Sequence, residues 1–330
     1  MKNKQAEALA HSVPLRVLCA EKWLNSETLE KFSHRHNVRI QQWTYATPGE
    51  FLRQMANADG NVDVICASSF LVKSLVKSGW LKKMNYQELP NAKLLGVDFS
   101  HLPFDREGEY TVPAYWNLFG FFGKEDPKPM TWKQIAQDKK IALWGRELNV
   151  LEYTERMGLD VEKRLTEEEN SKEGKALDEE LKHFVKSSVH FIKPDEKADP
   201  AALLDHYEWV EVPLGRVAGI LAKDQSYGFW LPQDGAPVEM GVYSVGEKSA
   251  QPELAMKLIN VLISSEEAAA LHERLHTGVV QSSLNNKDGV APLEKTDALR
   301  QFPLNRLQFP ELNLEAVPRF QKIYDQVMAN

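Results

Sequence analysis

The stretch Val112-Pro113-Ala114-Tyr115-Trp116-Asn117-Leu118-Phe119-Gly120-Phe121-Phe122-Gly123 decides how the rest of the chain is read. It carries no charge, has a proline near its start, and is about twice the roughly five or six residues of an ordinary strand. A strand that long can leave one core and enter another, which makes it a candidate hinge between two lobes. One long central strand in a single sheet is the alternative that pattern alone leaves open. The segments on either side favour the hinge, because each side starts its own alternation of strands and helices.

Upstream, Leu15–Cys19, Val38–Trp43 and Val62–Ala67 read as short strands. Between them, Leu29 and Phe32 fall on one face of a helix from Glu27 to His36, with Ser26 or Thr28 as its expected cap. Pro48-Gly49 opens a second helix with Phe51, Leu52 and Met55 on one side, and a third runs from Ser68-Ser69-Phe70 through Val76 to a stop at Gly79. Strands alternating with helices imply parallel strands joined by crossovers, hence an α/β lobe.

Downstream, Thr131-Trp132 to Gln137 reads as a short helix and Ile141 to Trp144 as a strand. A helix from about Glu147 to Met157 is stopped by Gly158. Glu162 to Lys186 is strongly charged, with Leu177, Leu181, Phe184 and Val185 at helical spacing, and reads as a solvated helix on a narrow apolar stripe. Trp209–Val212 and Gly219–Ala222 fit either two short strands or a strand and a helix start. Gly228-Phe229-Trp230 through Val242–Val245 is the expected return crossing, followed by helices Pro252–Ile263 and Glu266–Leu275, and the last helix runs from about Val317 to Met328. Helices late in a chain can complete the first lobe. The expected division is therefore 13–116 with 241–284 as one lobe and 117–240 with 285–330 as the other, after a flexible 1–12.

Composition narrows the function. Apolar residues make up 43% of the 330, enough for two cores, and no window approaches the ~18 uninterrupted apolar residues of a membrane span. A formal charge of −7 argues against a nucleic-acid surface, which normally shows a basic excess. Met1 to His11 lacks the apolar centre of an export signal, so the chain is either cytoplasmic or begins after a removed signal. Cys19 and Cys66 sit near the ends of two short strands; if those strands are neighbours the sulfurs come within bridging reach, although two buried, inert thiols are the commoner outcome.

No constellation of catalytic chemistry is present. G-x-S-x-G, G-x-x-x-x-G-K-[ST], H-E-x-x-H and C-x-x-C are all missing, so no catalytic residue and no cofactor is assigned. His34 and His36 face different ways on a helix, and His272 and His276, at a metal-ligand spacing, lack a third ligand nearby; no metal site is expected. Glu147 and Glu152 are not placed as an acid/base pair by spacing. A binding reading needs less. Ligands of open α/β sheets bind at the carboxyl ends of the strands, where the chain places Glu21, Trp23, Ser68, Ser69, Phe70, Trp116 and Arg146. The set joins flat apolar rings to hydroxyls and a few charges, as small-molecule clefts do. Ser68 and Ser69, at a helix N-terminus, could also serve an anion. The plainer alternative is that Ser68 only caps its helix and that Trp23 and Trp116 fill the core.

The order of segments resembles the bacterial extracellular solute-binding proteins, most closely the spermidine/putrescine-binding branch. The similar pieces are Thr28-Leu29-Glu30-Lys31-Phe32, Val62-Asp63-Val64-Ile65 with Ser68-Ser69-Phe70, Lys77-Ser78-Gly79-Trp80, Tyr110–Trp116, Ala255–Asn260 and Phe320–Val327. The resemblance spans about Leu15 to Met328. It implies a two-lobed type II periplasmic-binding fold, each lobe a mainly parallel sheet flanked by helices, joined by two hinge crossings. It further implies non-catalytic binding of a small solute in the interlobe cleft, delivery to the membrane permease of an ATP-driven (ABC) importer, a monomeric state, and a periplasmic location. An enzyme or ligand-sensing protein on the same fold is the alternative, and a scaffold plugged by Trp23, Phe70 and Trp116 is a third.

The resemblance weakens in the pocket. Polyamine binders hold a cation with carboxylates and aromatic rings. Carried over by position, two acidic places are Gly145 and Leu148 here, with Arg146 between them. The acidic place on the return crossing falls near Met240, with Glu239 beside it. Phe70 and Trp116 keep their aromatic type, while the family's first tryptophan falls near Glu21, with Trp23 two residues on. A hydrogen bond to a charged group contributes roughly 1.5–3 kcal/mol, so losing two weakens a dication by about a hundredfold or more. The fold is therefore expected without ordinary polyamine affinity, and the ligand specificity is expected to be altered.

Overall fold

The computed structural model describes residues 13–96, 99, 101–124, 130–138, 140–158, 165, 171–188, 190–192, 199–280 and 306–328. The expected flexible segment 1–12, the stretch 285–305 and the side chains of Leu177, Leu181, Phe184 and Val185 lie outside what is described. The chain divides into two compact units, Met1–Trp116 with Met240–Val290 and Asn117–Glu239 with Ala291–Asn330.

The first unit opens with β1 (Leu15–Ala20), the helix Ser26–His36, β2 (Ile40–Tyr45), the helix Pro48–Asn57, β3 (Val64–Ser68) and the helix Ser69–Lys77. β1 pairs with β2 and β3, both parallel, as crossover connections through helices allow. Asn25, rather than Ser26 or Thr28, caps the first helix: its side chain accepts the Glu27 N–H. The Thr28 hydroxyl instead donates to Glu267, because the backbone turns into the helix earlier than the first apolar residue suggests. Pro48 occupies the first turn of its helix, where its missing N–H costs nothing. Gly79 ends the third helix with a φ of 67°.

A short β4 (Leu81–Lys82) precedes β5, Val112–Gly123, which has the bounds of the uncharged run. The division between the units falls inside this strand, between Trp116 and Asn117. In the second unit the chain continues through the helix Trp132–Ile135, β6 (Ile141–Trp144), the helices Glu147–Arg156 and Lys172–Ser188, β7 (His190–Ile192), the helix Pro200–Leu203 and β8 (Trp209–Pro213). The helix Leu214–Leu221 follows β8 directly, so the ambiguous pair of segments is a strand and a helix. β9 (Gly228–Trp230) leads to β10 (Ala236–Gly246), and the second division falls between Glu239 and Met240. The helices Pro252–Leu262 and Ser265–Leu275 and β11 (Gly278–Val279) complete the first unit; β12 (Leu307–Gln308) and the helix Val317–Met328 complete the second.

Each unit has a parallel trio with an antiparallel addition. In the first, the order is β2-β1-β3-β10, with β10 antiparallel to β3. In the second it is β5-β8-β6-β7, with β6 parallel to β7 and β8, and β5 antiparallel to β8. The trios are built by helical crossovers; the antiparallel members are the strands shared with the other unit. Asp63, 2% exposed, secures the first unit: its carboxylate accepts the Arg16 N–H at 2.7 Å, the Ser249 hydroxyl at 2.6 Å and the Gln251 N–H at 3.2 Å. An aromatic stack centres the second, where Phe121 lies on Trp230 with centroids 4.4 Å apart and Trp209 meets Trp230 edge-on at 5.8 Å. The last helix is held by Arg319, which pairs with Asp178 at 2.7 Å and donates to the Gly174 carbonyl at 2.8 Å.

Candidate functional site

The predicted residues of the first unit divide into exposed and engaged groups. Glu21 is exposed in the turn after β1. Trp23 is only 2% exposed: it meets Tyr115 edge-on at 5.0 Å and Tyr243 at 6.1 Å, and belongs to the core. Its ring lies over Gly241 of β10, where an added Cβ would stand 2.6 Å from Trp23 and 2.1 Å from Tyr115. Trp23 thus follows the plainer of the two sequence readings. Ser68 is the residue before the helix Ser69–Lys77, but its side chain makes no capping bond. Ser69 is buried and its hydroxyl accepts the Met240 N–H at 3.0 Å, fixing β10 where it enters the unit. Phe70, at 9% exposed, has a largely covered ring in the first turn. Trp116 is half-buried; its Nε1 donates to the Val279 carbonyl at 3.1 Å, and its register partner is Gly278 of β11.

In the second unit, Arg146 stands between β6 and the helix Glu147–Arg156, at the cap position. Its guanidinium reaches Glu239 of β10, with Nη1 3.6 Å from Oε2. The two partners differ sharply in exposure, the Arg146 side chain at 40% and that of Glu239 at 6%. On the adjacent parallel strand, β8 runs into the helix that carries Arg216, whose guanidinium sits 5.1 Å from the centre of the Trp144 ring. Composition singles out neither Arg216 nor its juxtaposition with β6; the signal was its place two residues into the helix after a strand. Beneath this edge, Glu211 is 1% exposed and accepts the Trp144 N–H at 3.1 Å. Burial pushes its carboxyl up to about 8, against the opposing effect of that N–H, so at neutral pH Glu211 is mostly uncharged.

Gly145 has no room for a side chain. Its N–H donates to the Ile192 carbonyl at 2.8 Å and its carbonyl accepts the Tyr324 hydroxyl at 2.5 Å. An added Cβ would lie 2.5 Å from Met328 Cε and 2.7 Å from the Ile192 oxygen. The space is filled by the last helix of the same unit.

Other candidates resolve differently. Cys19 and Cys66 are free, buried thiols on neighbouring strands, within hydrogen-bonding reach of one another. Burial raises the Cys66 thiol well above its ordinary range. His276 ends its helix in the left-handed conformation with a φ of 53°, and His272 Nδ1 bonds the Thr277 carbonyl. Among the described residues no group of His, Cys, Asp and Glu side chains could hold a metal. A cavity of about 530 Å³ in the first unit has Tyr86, Phe99, His101 and Asp105 in its wall, and none of the predicted site residues lines it. The Asp105 carboxylate there is committed to the N–H groups of Glu109, Tyr110 and Thr111 and to the Thr111 hydroxyl.

Two α/β units sharing two long strands, each a parallel trio with an antiparallel addition, have the architecture of the type II periplasmic-binding fold. Solved structures carry the same fold over nearly the whole chain. The spermidine/putrescine transporter substrate-binding protein of Streptococcus pneumoniae matches with a TM-score of 0.63 and 15% identity, covering 96% of this chain and 99% of that one. The Tp0655 lipoprotein of Treponema pallidum also matches at 0.63, with 16% identity over the same shares. In sequence the chain is similar to the polyamine-binding branch: it is 25% identical over 267 residues to the spermidine/putrescine-binding periplasmic protein of Salmonella typhimurium, covering 75% of this chain and 72% of the relative. No protein-family model matches the chain.

Proposed function

We propose that this protein is the solute-binding component of an ATP-driven importer, working outside the cytoplasm as a monomer and passing its solute to a membrane permease. The reading rests on the sequence similarity to periplasmic spermidine/putrescine-binding proteins along three quarters of the chain. Nucleic acid is not its partner, given the net charge of −7. Glu21, Ser68, Ser69, Phe70 and Trp116 of the first unit and Arg146 and Glu239 of the second contribute to the ligand site, which hinge movement about β5 and β10 opens and closes. Trp23 supports the site from the core and does not line it.

The specificity departs from that of the polyamine binders. Gly145 and Leu148 replace two carboxylates, and Arg146 brings a positive charge to the same edge. Native mass spectrometry of purified protein, followed by denaturation, is expected to release one small molecule per chain, and calorimetry with spermidine to show no micromolar binding. Saturable micromolar spermidine binding would overturn the altered specificity. A chain that carries no solute and lies in a gene neighbourhood without permease and ATPase would overturn the transport reading itself.

A further inference from the structure

The two cysteines of the chain meet in the core of the first unit. β1 and β3 are adjacent and parallel, with Val17 opposite Val64 and Leu18 opposite Ile65, so the next step along both strands sets Cys19 opposite Cys66. Side chains alternate between the two faces of a strand. Val17, Cys19, Val64 and Cys66 all belong to one hydrophobic core, which puts both thiols on the same face of the sheet. Neighbouring strands lie about 4.7–4.9 Å apart, inside the range of about 4.4–6.8 Å that disulfides span between Cα atoms. The two sulfurs are already within hydrogen-bonding reach.

The surroundings hold this pair in place. The Tyr45 hydroxyl, at the end of β2, donates to the Cys66 carbonyl at 2.8 Å and so ties β2 to β3 across β1. Gln42 Nε2 donates to Cys19 Sγ at 3.1 Å, a bond that favours negative charge on that sulfur. Both cysteines are 0% exposed, so an oxidant reaches them while the chain folds and not through the finished sheet. With only two cysteines in the sequence, each has one intrachain partner. A bond between them would close a loop around the helix Ser26–His36, β2 and the helix Pro48–Asn57. It would also join the two strands that lead to Glu21 and to Ser68, Ser69 and Phe70.

We infer that Cys19 and Cys66 form an intrachain disulfide when the chain folds in contact with a disulfide oxidant. Such oxidants prevail outside the cytoplasm, so the bond's place in the cell rests on the extracytoplasmic reading above. With oxidised glutathione as the oxidant, the Cys19 thiolate attacks one glutathione sulfur, forms a mixed disulfide and expels one glutathione thiolate. Cys66 then attacks Cys19 Sγ and expels the second. The two cysteines give up two electrons and two protons, and the oxidant takes up both as two thiols.

The test is to unfold the purified protein in urea with a reductant and refold it in an equal mixture of oxidised and reduced glutathione. In denaturing mass spectrometry the monomer should then be about 2 Da lighter than the reduced chain and take up no alkylating agent. It should melt about 5–10 °C above protein refolded in reductant, a difference that Cys19→Ala and Cys66→Ala should each abolish. The folded, reduced protein should keep both thiols from an aqueous thiol reagent that modifies the urea-unfolded chain completely. Two alkylatable thiols after oxidative refolding would overturn the inference. So would glutathione attached to either cysteine without the bond, disulfide-linked dimers, or an oxidised chain that regains no melting transition. Each of these failures leaves the solute-binding reading standing, because that reading is tested by the released solute and not by the thiols.

Discussion

Replacing Glu211 with glutamine should make the protein less sensitive to alkali. Glu211 is 1% exposed in β8, and burial raises its carboxyl from an ordinary 4.5 to about 8. In the folded protein it keeps its proton up to about pH 8, whereas in the unfolded chain it loses it near 4.5. Between these values the folded state binds the extra proton, so stability is greatest below the unfolded pKa and falls as pH rises through the folded one. The full difference is about 3.5 pH units, or about 5 kcal/mol at ~1.4 kcal/mol per unit. Of this, about 3 kcal/mol should be lost between about pH 5 and 7.5. Glutamine cannot ionise, yet it can still accept the Trp144 N–H and resembles the protonated acid in shape. Urea unfolding followed by tryptophan fluorescence at pH 5, 6.5, 7.5 and 8.5 should show the parent losing several kcal/mol that Glu211→Gln retains. The variant should be close to the parent at the lowest pH and more stable at the highest. Glu152, whose carboxyl is also raised by burial, is present in both proteins and largely cancels in the comparison. Equal pH slopes in parent and variant would refute the reasoning.

Two further substitutions test the packing that frames the site. Gly241→Ala would place a Cβ 2.1 Å from Tyr115 and 2.6 Å from Trp23, and should cost about 1–3 kcal/mol, read as a lower melting temperature; an unchanged melting temperature would mean that the rings do not rest on the β10 backbone. Arg319→Met keeps the bulk but leaves Asp178, 16% exposed, without its 2.7 Å partner, and should destabilise the second unit by about 3 kcal/mol in urea unfolding. A loss below about 0.5 kcal/mol, the range of ordinary surface changes, would show that the pair contributes little to holding the last helix.

Local patterns made the framework legible. The uncharged run Val112–Gly123 has the bounds of β5, and Ile141–Trp144 those of β6, because an unbroken apolar segment between polar turns has few other ways to be buried. The helices beginning at Pro48 and Pro252 were readable from a proline in the first turn followed by apolar residues on one face. The cap at Asn25 was missed because three neighbouring residues can all cap, and only the turn of the backbone decides among them.

By itself the sequence determined which segments are strands and helices and that they fall into two α/β units. These are properties of neighbours along the chain, set by periodicity, residue type and segment order. The tertiary structure alone decided that Trp23 belongs to a core, that Ser69 is bonded to the Met240 N–H, that Met328 closes the space at Gly145, and that Arg146 meets Glu239. Each of these joins residues from distant parts of the chain. Their charge balance and filled space exist only once the strands have brought them together.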